Sequence, residues 1–174
     1  MVQHQIDALR SCGIKDIVLV IGYEGGRVRE YLGSDVRYVE NEAYRTTNSI
    51  YSLYRARDEL DTDLFLLNCD ILFHSSVLRR LLNVPFANAI AVDSRRKRLA
   101  NEMNVIADAD RCVTKISKSL DPAVATAQSM QLAKFDADGA ASVCSEVEVL
   151  VNNGQTRLIR RRESYQDMMH CDVI

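Results

Sequence analysis

Carboxylates that follow buried apolar runs are the first candidates for chemistry in this sequence. Asp70 comes shortly after the run Leu64–Leu67, and a carboxylate just past a buried strand is a suitable Mg²⁺ ligand in phosphate chemistry. Capping of the next turn would explain the same residue equally well. Asp93 follows the apolar run 89–92, and for Asp93 we favour the capping interpretation.

Hydroxyl and amide side chains form a second candidate, from Thr46 to Ser49. They precede an amphipathic segment, and the free backbone N–H groups at a helix N-terminus favour anions or polar ligands. Capping accounts for one or two of the four, since Thr47 and Asn48 are both suitable N-caps. Lys118 ends a strand-like run and could neutralise phosphate charge there, or could be a solvated surface lysine.

Alternating strands and helices would position these residues. The β-branched run 17–21 is typical of a strand covered on both faces. We predict further strands at 36–39, 64–67 and 89–92, and helices at 2–12, 28–32, 50–60 and 77–82. This order predicts an α/β fold, a Rossmann-like three-layer sandwich around a mostly parallel, mixed sheet. In such sheets the site lies beyond the carboxyl ends of the strands.

The chain beyond Asp93 has a different pattern. Runs at 103–107, 112–116 and 130–135 predict strands in an antiparallel or mixed extension of the sheet. An apolar stripe over 140–151 predicts a long helix, and a last helix is expected to begin at Tyr165.

Composition argues against several classes of protein. A formal net charge of −2 is not that of a dedicated nucleic-acid binder, and no apolar run approaches the roughly 18–20 residues that cross a bilayer. Five cysteines without a C-x-x-C pair indicate reduced thiols. We therefore expect a cytoplasmic protein without nucleic-acid or membrane partners.

Several segments follow one another in the order and spacing of a known family. They are Gln5-Ile6-Asp7-Ala8-Leu9, Gly13-Ile14, 16–23, Asn41, Tyr44, 47–54, Leu66-Leu67-Asn68-Cys69-Asp70 and Lys115-Ile116-Ser117-Lys118. In them the chain resembles the nucleotidyltransferases related to phosphocholine cytidylyltransferase and the sugar-phosphate nucleotidyltransferases. The stretch 47–54 is the most specific. The resemblance implies the nucleotide-diphospho-sugar transferase-like fold.

The resemblance also implies a reaction. A phosphate monoester, such as phosphocholine or a sugar 1-phosphate, attacks the α-phosphorus of a nucleoside triphosphate and releases pyrophosphate, with Mg²⁺ holding charge. By the same resemblance Asp70 is the metal-binding aspartate, and Thr47, Asn48 and Ser49 line the nucleotide or acceptor side. The resemblance also implies that Lys118 is the catalytic residue, at the phosphate or acceptor site. The stretch 47–54 suggests CTP as the nucleotide.

The chain also departs from the family pattern. Family members open with a buried strand and a glycine-rich triphosphate loop, whereas the resemblance here begins after them. We therefore expect residues 1–174 to be a single truncated domain without its first central strand. The strands at 16–21 and 63–68 would then flank a gap about 9–10 Å wide, with an open edge able to recruit a second copy.

Two of these departures bear on activity. Cys69 stands where the family usually has glycine, and the family's second metal aspartate has no counterpart. The chain alone is therefore expected to be inactive. The alternative to a nucleotidyltransferase is a catalytically inactive scaffold or a regulatory nucleotide-binding remnant.

Overall fold

Helices and strands alternate in the first half of the chain, and strands dominate the second. The computed structural model describes residues 1–156 and 172–173. The elements in chain order are α1 (Val2–Ser11), β1 (Val18–Ile21), α2 (Gly25–Leu32), β2 (Arg37–Glu40), α3 (Ser49–Arg55), β3 (Leu64–Leu67), α4 (Ser75–Asn83), β4 (Ala89–Asp93), β5 (Asn104–Ala107), β6 (Val113–Ser117), β7 (Ala127–Phe135), α5 (Ala137–Asn152) and β8 (Asp172–Val173). A 3₁₀ turn, Arg57–Glu59, follows α3.

Strand β7 organises the main sheet because it pairs along both edges. One edge pairs antiparallel with β3, Leu67 opposite Leu132, and further along with β5, Asn104 opposite Gln128. The other edge pairs antiparallel with β4. Strand β6 joins β5 antiparallel, and β8 joins β4 in parallel. The sheet therefore has the mixed strand orientation that the sequence predicts.

Each face of the main sheet carries an apolar core. Alternate residues of β3 reach opposite cores, as the two-residue period of a strand requires. Leu64 and Leu66 pack in the core that holds α3 and α5. Phe65 and Leu67 pack in the core that holds α1 and α4. Helices thus cover both faces, which confirms the three-layer sandwich.

The strands β1 and β2 form a separate, parallel two-stranded sheet. Within the described part of the chain, β1 pairs only with β2, and β3 pairs only with β7. The inner edges of β1 and β3 are thus both open there. All four residues of β3 and three of the four in β1 are only partly buried, although every one is apolar.

Two helices bridge the separate sheets. Helix α3 contacts β1 and β2 and also packs in the core of Leu64 and Leu66. Ile17, just before β1, packs in the same core as α1 and Phe65. The two sheets therefore share helices on both faces, and no strand pairing joins them within the described residues.

Three predicted boundaries need comment. The helix predicted to reach residue 60 ends at Arg55, and Asp58 and Glu59 lie in the 3₁₀ turn, because carboxylates are unfavourable at a helix C-terminus. Strand β7 begins at Ala127 rather than 130, since its first residues pair with β5 and β4 without forming an apolar run. The helix predicted from Tyr165 lies outside the described residues. None of the described helices is both long and apolar enough to cross a bilayer.

Candidate nucleotide and metal site

Asp70 lies in the turn that follows β3, at the carboxyl end of that strand. Its side chain is exposed and has no hydrogen-bond or ion-pair partner among the described residues. The capping alternative is therefore not seen for Asp70. A free carboxylate in this position can hold a cation.

Two glutamines fix the turn that carries Asp70. From α1, the amide nitrogen Nε2 of buried Gln5 donates to the carbonyl oxygens of Asn68, at 2.9 Å, and Ile71, at 2.8 Å. From β7, the Gln131 carbonyl accepts from the Asn68 backbone N–H at 3.3 Å, and Gln131 Oε1 accepts from Asn68 Nδ2. The turn is thus held from both sides.

Gln131 has a backbone conformation that is rare for a strand residue. Its φ angle is +57°, in the left-handed region, which costs a non-glycine residue roughly 1–2 kcal/mol. The pairing of β4 with β7 is irregular at this point, between Ile90 and Val92, and Ser129 Oγ accepts from the Gln131 N–H at 3.0 Å. This bulge turns Gln131 toward Asn68.

The predicted nucleotide-binding residues lie at the start of α3, where Thr47 and Asn48 precede the helix and Ser49 is its first residue. Thr47 Oγ1 donates to the Ala43 carbonyl at 2.8 Å and accepts from Asn41 Nδ2 at 3.2 Å. Asn48 caps α3 through Oδ1, which accepts from the Tyr51 N–H at 3.3 Å, and its Nδ2 donates to the Gln155 carbonyl at 3.1 Å. Thr47 and Asn48 therefore shape this loop, while Ser49 is exposed.

Lys118 follows the end of β6 and Asp70 follows the end of β3, and both strand ends are level with residues 128–132 of β7. Ser117, at the end of β6, pairs with Asn104, which in turn pairs with Gln128 of β7. The same edge of β7 reaches the end of β3 at Leu132. Lys118 is exposed, and among the described residues it has no hydrogen-bond or ion-pair partner.

Asp93 ends β4 and caps the loop that follows, as predicted. Its Oδ1 accepts from the backbone N–H groups of Arg95, at 2.9 Å, and Arg96, at 3.1 Å. These two bonds stabilise the carboxylate and lower the pKa of Asp93 below its ordinary value. Asp93 therefore has a structural role in the loop that follows β4.

A cavity of about 210 Å³ lies at the ends of β1 and β2, beside the loop of Thr47. Gly22 lines it, and a side chain there would meet Tyr44, since a Cβ at position 22 would lie 2.7 Å from the Tyr44 Cβ. Glu40 and Glu42 also line it, and two carboxylates disfavour a phosphate. Asn41, which lines the cavity too, is buried, and its Oδ1 has no partner among the described residues.

A Mg²⁺ ion would find one protein ligand in this site. Within residues 1–156 and 172–173 there is no group of three or more His, Cys, Asp or Glu side chains able to hold a metal. Mg²⁺ commonly takes one or two carboxylates and completes its shell with waters and phosphate oxygens. Asp70 fits that role, and an enclosed metal cage does not form.

The candidate residues thus come from several elements of the fold. The sequence analysis named Asp70, Lys118 and the loop of Thr47, Asn48 and Ser49. It did not assign roles to Gln5 and Gln131. Gln5 was visible only as a polar residue between the apolar positions Val2, Ile6 and Leu9, where a surface glutamine would be the ordinary interpretation.

Comparison with known proteins identifies the class to which this fold belongs. The inositol-1-phosphate CTP transferase from T. maritima superposes with a TM-score of 0.65 at 19% identity, over 89% of this chain and 69% of that one. The fold is therefore that of the nucleotide-diphospho-sugar transferases. A family model, the MobA-like NTP transferase domain, matches residues 1–163. The chain belongs to this family.

Curated relatives agree with that assignment. The CMP-5'-(3-aminopropyl)phosphonate synthase of Streptomyces rubellomurinus is 39% identical over 116 residues, covering 64% of this chain and 18% of that protein. The CTP:phosphoglutamine cytidylyltransferase of Campylobacter jejuni is 29% identical over 116 residues, covering 59% of this chain and 46% of that protein. The match thus spans less than half the length of either relative.

Proposed function

We propose that this chain is a nucleotidyltransferase domain. It transfers a nucleotidyl group from a nucleoside triphosphate, with CTP preferred, to a phosphate monoester such as phosphocholine or a sugar 1-phosphate, and releases pyrophosphate. The observation that carries the proposal is the exposed, unpaired Asp70 carboxylate at the end of β3 in a chain of the NTP transferase family. Relatives named for CTP or CMP chemistry support the choice of nucleotide.

In this proposal each residue acts mainly by position, because phosphoryl chemistry depends on alignment and on charge stabilisation. Asp70 would hold Mg²⁺, which supplies positive charge to the phosphates of the nucleotide. Thr47 and Asn48 would form one wall of the nucleotide site, with Ser49 exposed on it. Lys118 would stabilise negative charge on the phosphate or the acceptor.

Calorimetric titration of the chain with CTP, UTP, ATP and GTP in the presence of Mg²⁺ tests the proposal. We expect selective CTP binding that Asp70→Asn abolishes. Asp61→Asn is the matched control, since Asp61 is also exposed and lies just before β3. Binding that survives Asp70→Asn would contradict the metal assignment.

Release of pyrophosphate with phosphocholine or a sugar 1-phosphate then tests transfer itself. A folded sample that binds CTP and releases none would support the regulatory nucleotide-binding alternative. A folded sample that binds no nucleotide would support the inactive scaffold. We place the reaction in the cytoplasm and expect neither nucleic acid nor membrane as a partner.

A further inference from the structure

A basic groove of about 470 Å³ runs along one exposed face of α4. Its lining consists of Ser76, Arg79, Arg80, Asn83, Val84 and Arg111. The four helix residues share one face, since they are spaced by three and four positions. Arg111 comes from the turn between β5 and β6, so the groove is walled by two separate elements.

The groove is distinct from the candidate nucleotide site. Arg111 lies at the turn that joins β5 and β6, whereas Lys118 follows the opposite end of that hairpin. None of the residues that line the groove belongs to the candidate nucleotide site of Asp70, Lys118 and residues 47–49, so what binds there does not depend on the proposed function.

The arginines that line the groove form no ion pair with the described residues. Within the described residues no carboxylate oxygen lies within 4.0 Å of the Arg79, Arg80 or Arg111 guanidinium, although five other arginines have ion pairs. Lys134 brings a fourth cation close, because its Nζ lies 3.3 Å from the Val84 carbonyl. An anion in the groove would relieve the repulsion among these groups.

Arg111 is held in place by its turn. The Asp108 carbonyl accepts from the Arg111 N–H at 3.1 Å, and Asp108 Oδ1 accepts from the Asp110 and Cys112 N–H groups at 3.0 and 2.9 Å. The Arg111 φ angle is +67°, and its guanidinium lies 5.6 Å from the centre of the Phe86 ring. Glycine or asparagine would adopt this conformation with less strain.

We propose that the groove binds a small anion bearing one or two phosphate groups. Guanidinium groups present planar donor pairs that match phosphate oxygens, and charge-assisted hydrogen bonds of this kind are among the stronger ones. The competing explanation is that Arg79 and Arg80 only complement the negative C-terminal end of α4. That explanation does not account for Arg111, which comes from another element.

Calorimetric titration with pyrophosphate, without nucleotide, tests the proposal. We expect Arg111→Asn, which tolerates the left-handed backbone, and Arg80→Gln each to weaken binding about tenfold, as loss of one charge-assisted contact would. Arg96→Gln, an exposed control with the same change of charge, should leave the affinity unchanged. Lys118→Ala reports separately on pyrophosphate held at the candidate nucleotide site. Thermal unfolding of each variant verifies that it is folded.

Three outcomes would overturn the proposal. Pyrophosphate affinity that survives both Arg111→Asn and Arg80→Gln would remove the groove as the site. Affinity lost in Lys118→Ala but kept in the groove variants would assign the pyrophosphate to the candidate nucleotide site. If the unaltered chain does not bind pyrophosphate, the competing explanation holds, and Arg79 and Arg80 only complement the C-terminal end of α4.

Discussion

The side-chain amide of Gln5 donates to the backbone carbonyl of Asn68 across 2.9 Å, joining the first helix to the turn after β3. The two residues are 63 positions apart in the chain. The same nitrogen also donates to Ile71 at 2.8 Å, so one buried amide spans Cys69 and Asp70. The position of the proposed metal ligand therefore depends on α1.

Replacement of Gln5 by leucine should loosen that turn. Both carbonyls lose their donor, which costs about 1–3 kcal/mol in the free energy of unfolding, and Mg²⁺-dependent CTP affinity should fall with it. Urea unfolding and calorimetry measure the two effects. Gln3→Leu is the control, because among the described residues the Gln3 side chain bonds only to Asp7, on its own helix.

The control should change the free energy of unfolding by no more than about 0.5 kcal/mol. If Gln5→Leu loses stability but keeps full CTP affinity, the two hydrogen bonds from Gln5 stabilise the fold and do not position Asp70. If it changes neither quantity, the two hydrogen bonds have no measurable role.

Gln131 offers a second test of the same turn, through its backbone. Gln131→Ala and Gln131→Gly both remove the acceptor of the Asn68 amide, but glycine also relieves the strain at φ +57°. We therefore expect the glycine variant to be more stable than the alanine variant by about 1 kcal/mol. Urea unfolding of the pair measures the difference. An alanine variant of equal or greater stability would show that the backbone conformation at position 131 does not destabilise a non-glycine residue.

Much of the fold could be predicted because it depends on local pattern. The run Leu64–Leu67 is a strand with the bounds that its apolar residues suggest. The apolar stripe predicted over 140–151 lies within α5, Ala137–Asn152. The start of β7 could not be predicted, because it depends on long-range pairing. Ala127, Gln128 and Ser129 become strand residues only by pairing with β4 and β5.

The site was less accessible to prediction, because its geometry rests on long-range hydrogen bonds. Asp70 could be nominated by its place after an apolar run. The hydrogen bonds that hold its turn could not be predicted, since nothing in the sequence around Gln5 or Gln131 indicates a shared partner in Asn68. The same holds for Arg111, whose sequence neighbours give no sign of α4.

Cysteine reactivity should report on both the site and the core. Cys69 is an exposed free thiol beside Asp70, whereas Cys144 is partly buried. Burial is the main cause that raises the pKa of the Cys144 thiol, which lowers its thiolate fraction at neutral pH. Iodoacetamide should therefore alkylate Cys69 well before Cys144, as followed by peptide mass spectrometry.

Nucleotide should slow that alkylation selectively. With CTP and Mg²⁺ bound near Asp70, modification of Cys69 should slow, while that of exposed Cys112 should not. Equal rates at Cys69 with and without nucleotide, in a sample that binds CTP, would argue against nucleotide near this turn. Protection of both thiols would indicate a general change of conformation instead.

The open edges of β1 and β3 lead to the last prediction, which concerns association. Both edges carry apolar residues that are only partly buried, and unpaired strand edges recruit other strands. We expect the chain to form dimers or larger species as its concentration rises, as measured by light scattering after gel filtration. Val20→Lys should reduce this association, because a lysine on an edge strand opposes pairing with another strand.

Val149→Lys separates edge pairing from a general effect of charge. Val149 is 51% exposed on α5, so the same substitution there adds the same charge away from both edges. Association that falls in Val20→Lys and persists in Val149→Lys would locate the contact at the sheet edge. Equal loss in both variants would place it elsewhere, and a chain that stays monomeric at every concentration would contradict the prediction. In the last case α1 and α3, which bridge the two sheets, would be the elements that keep the edges from a second copy.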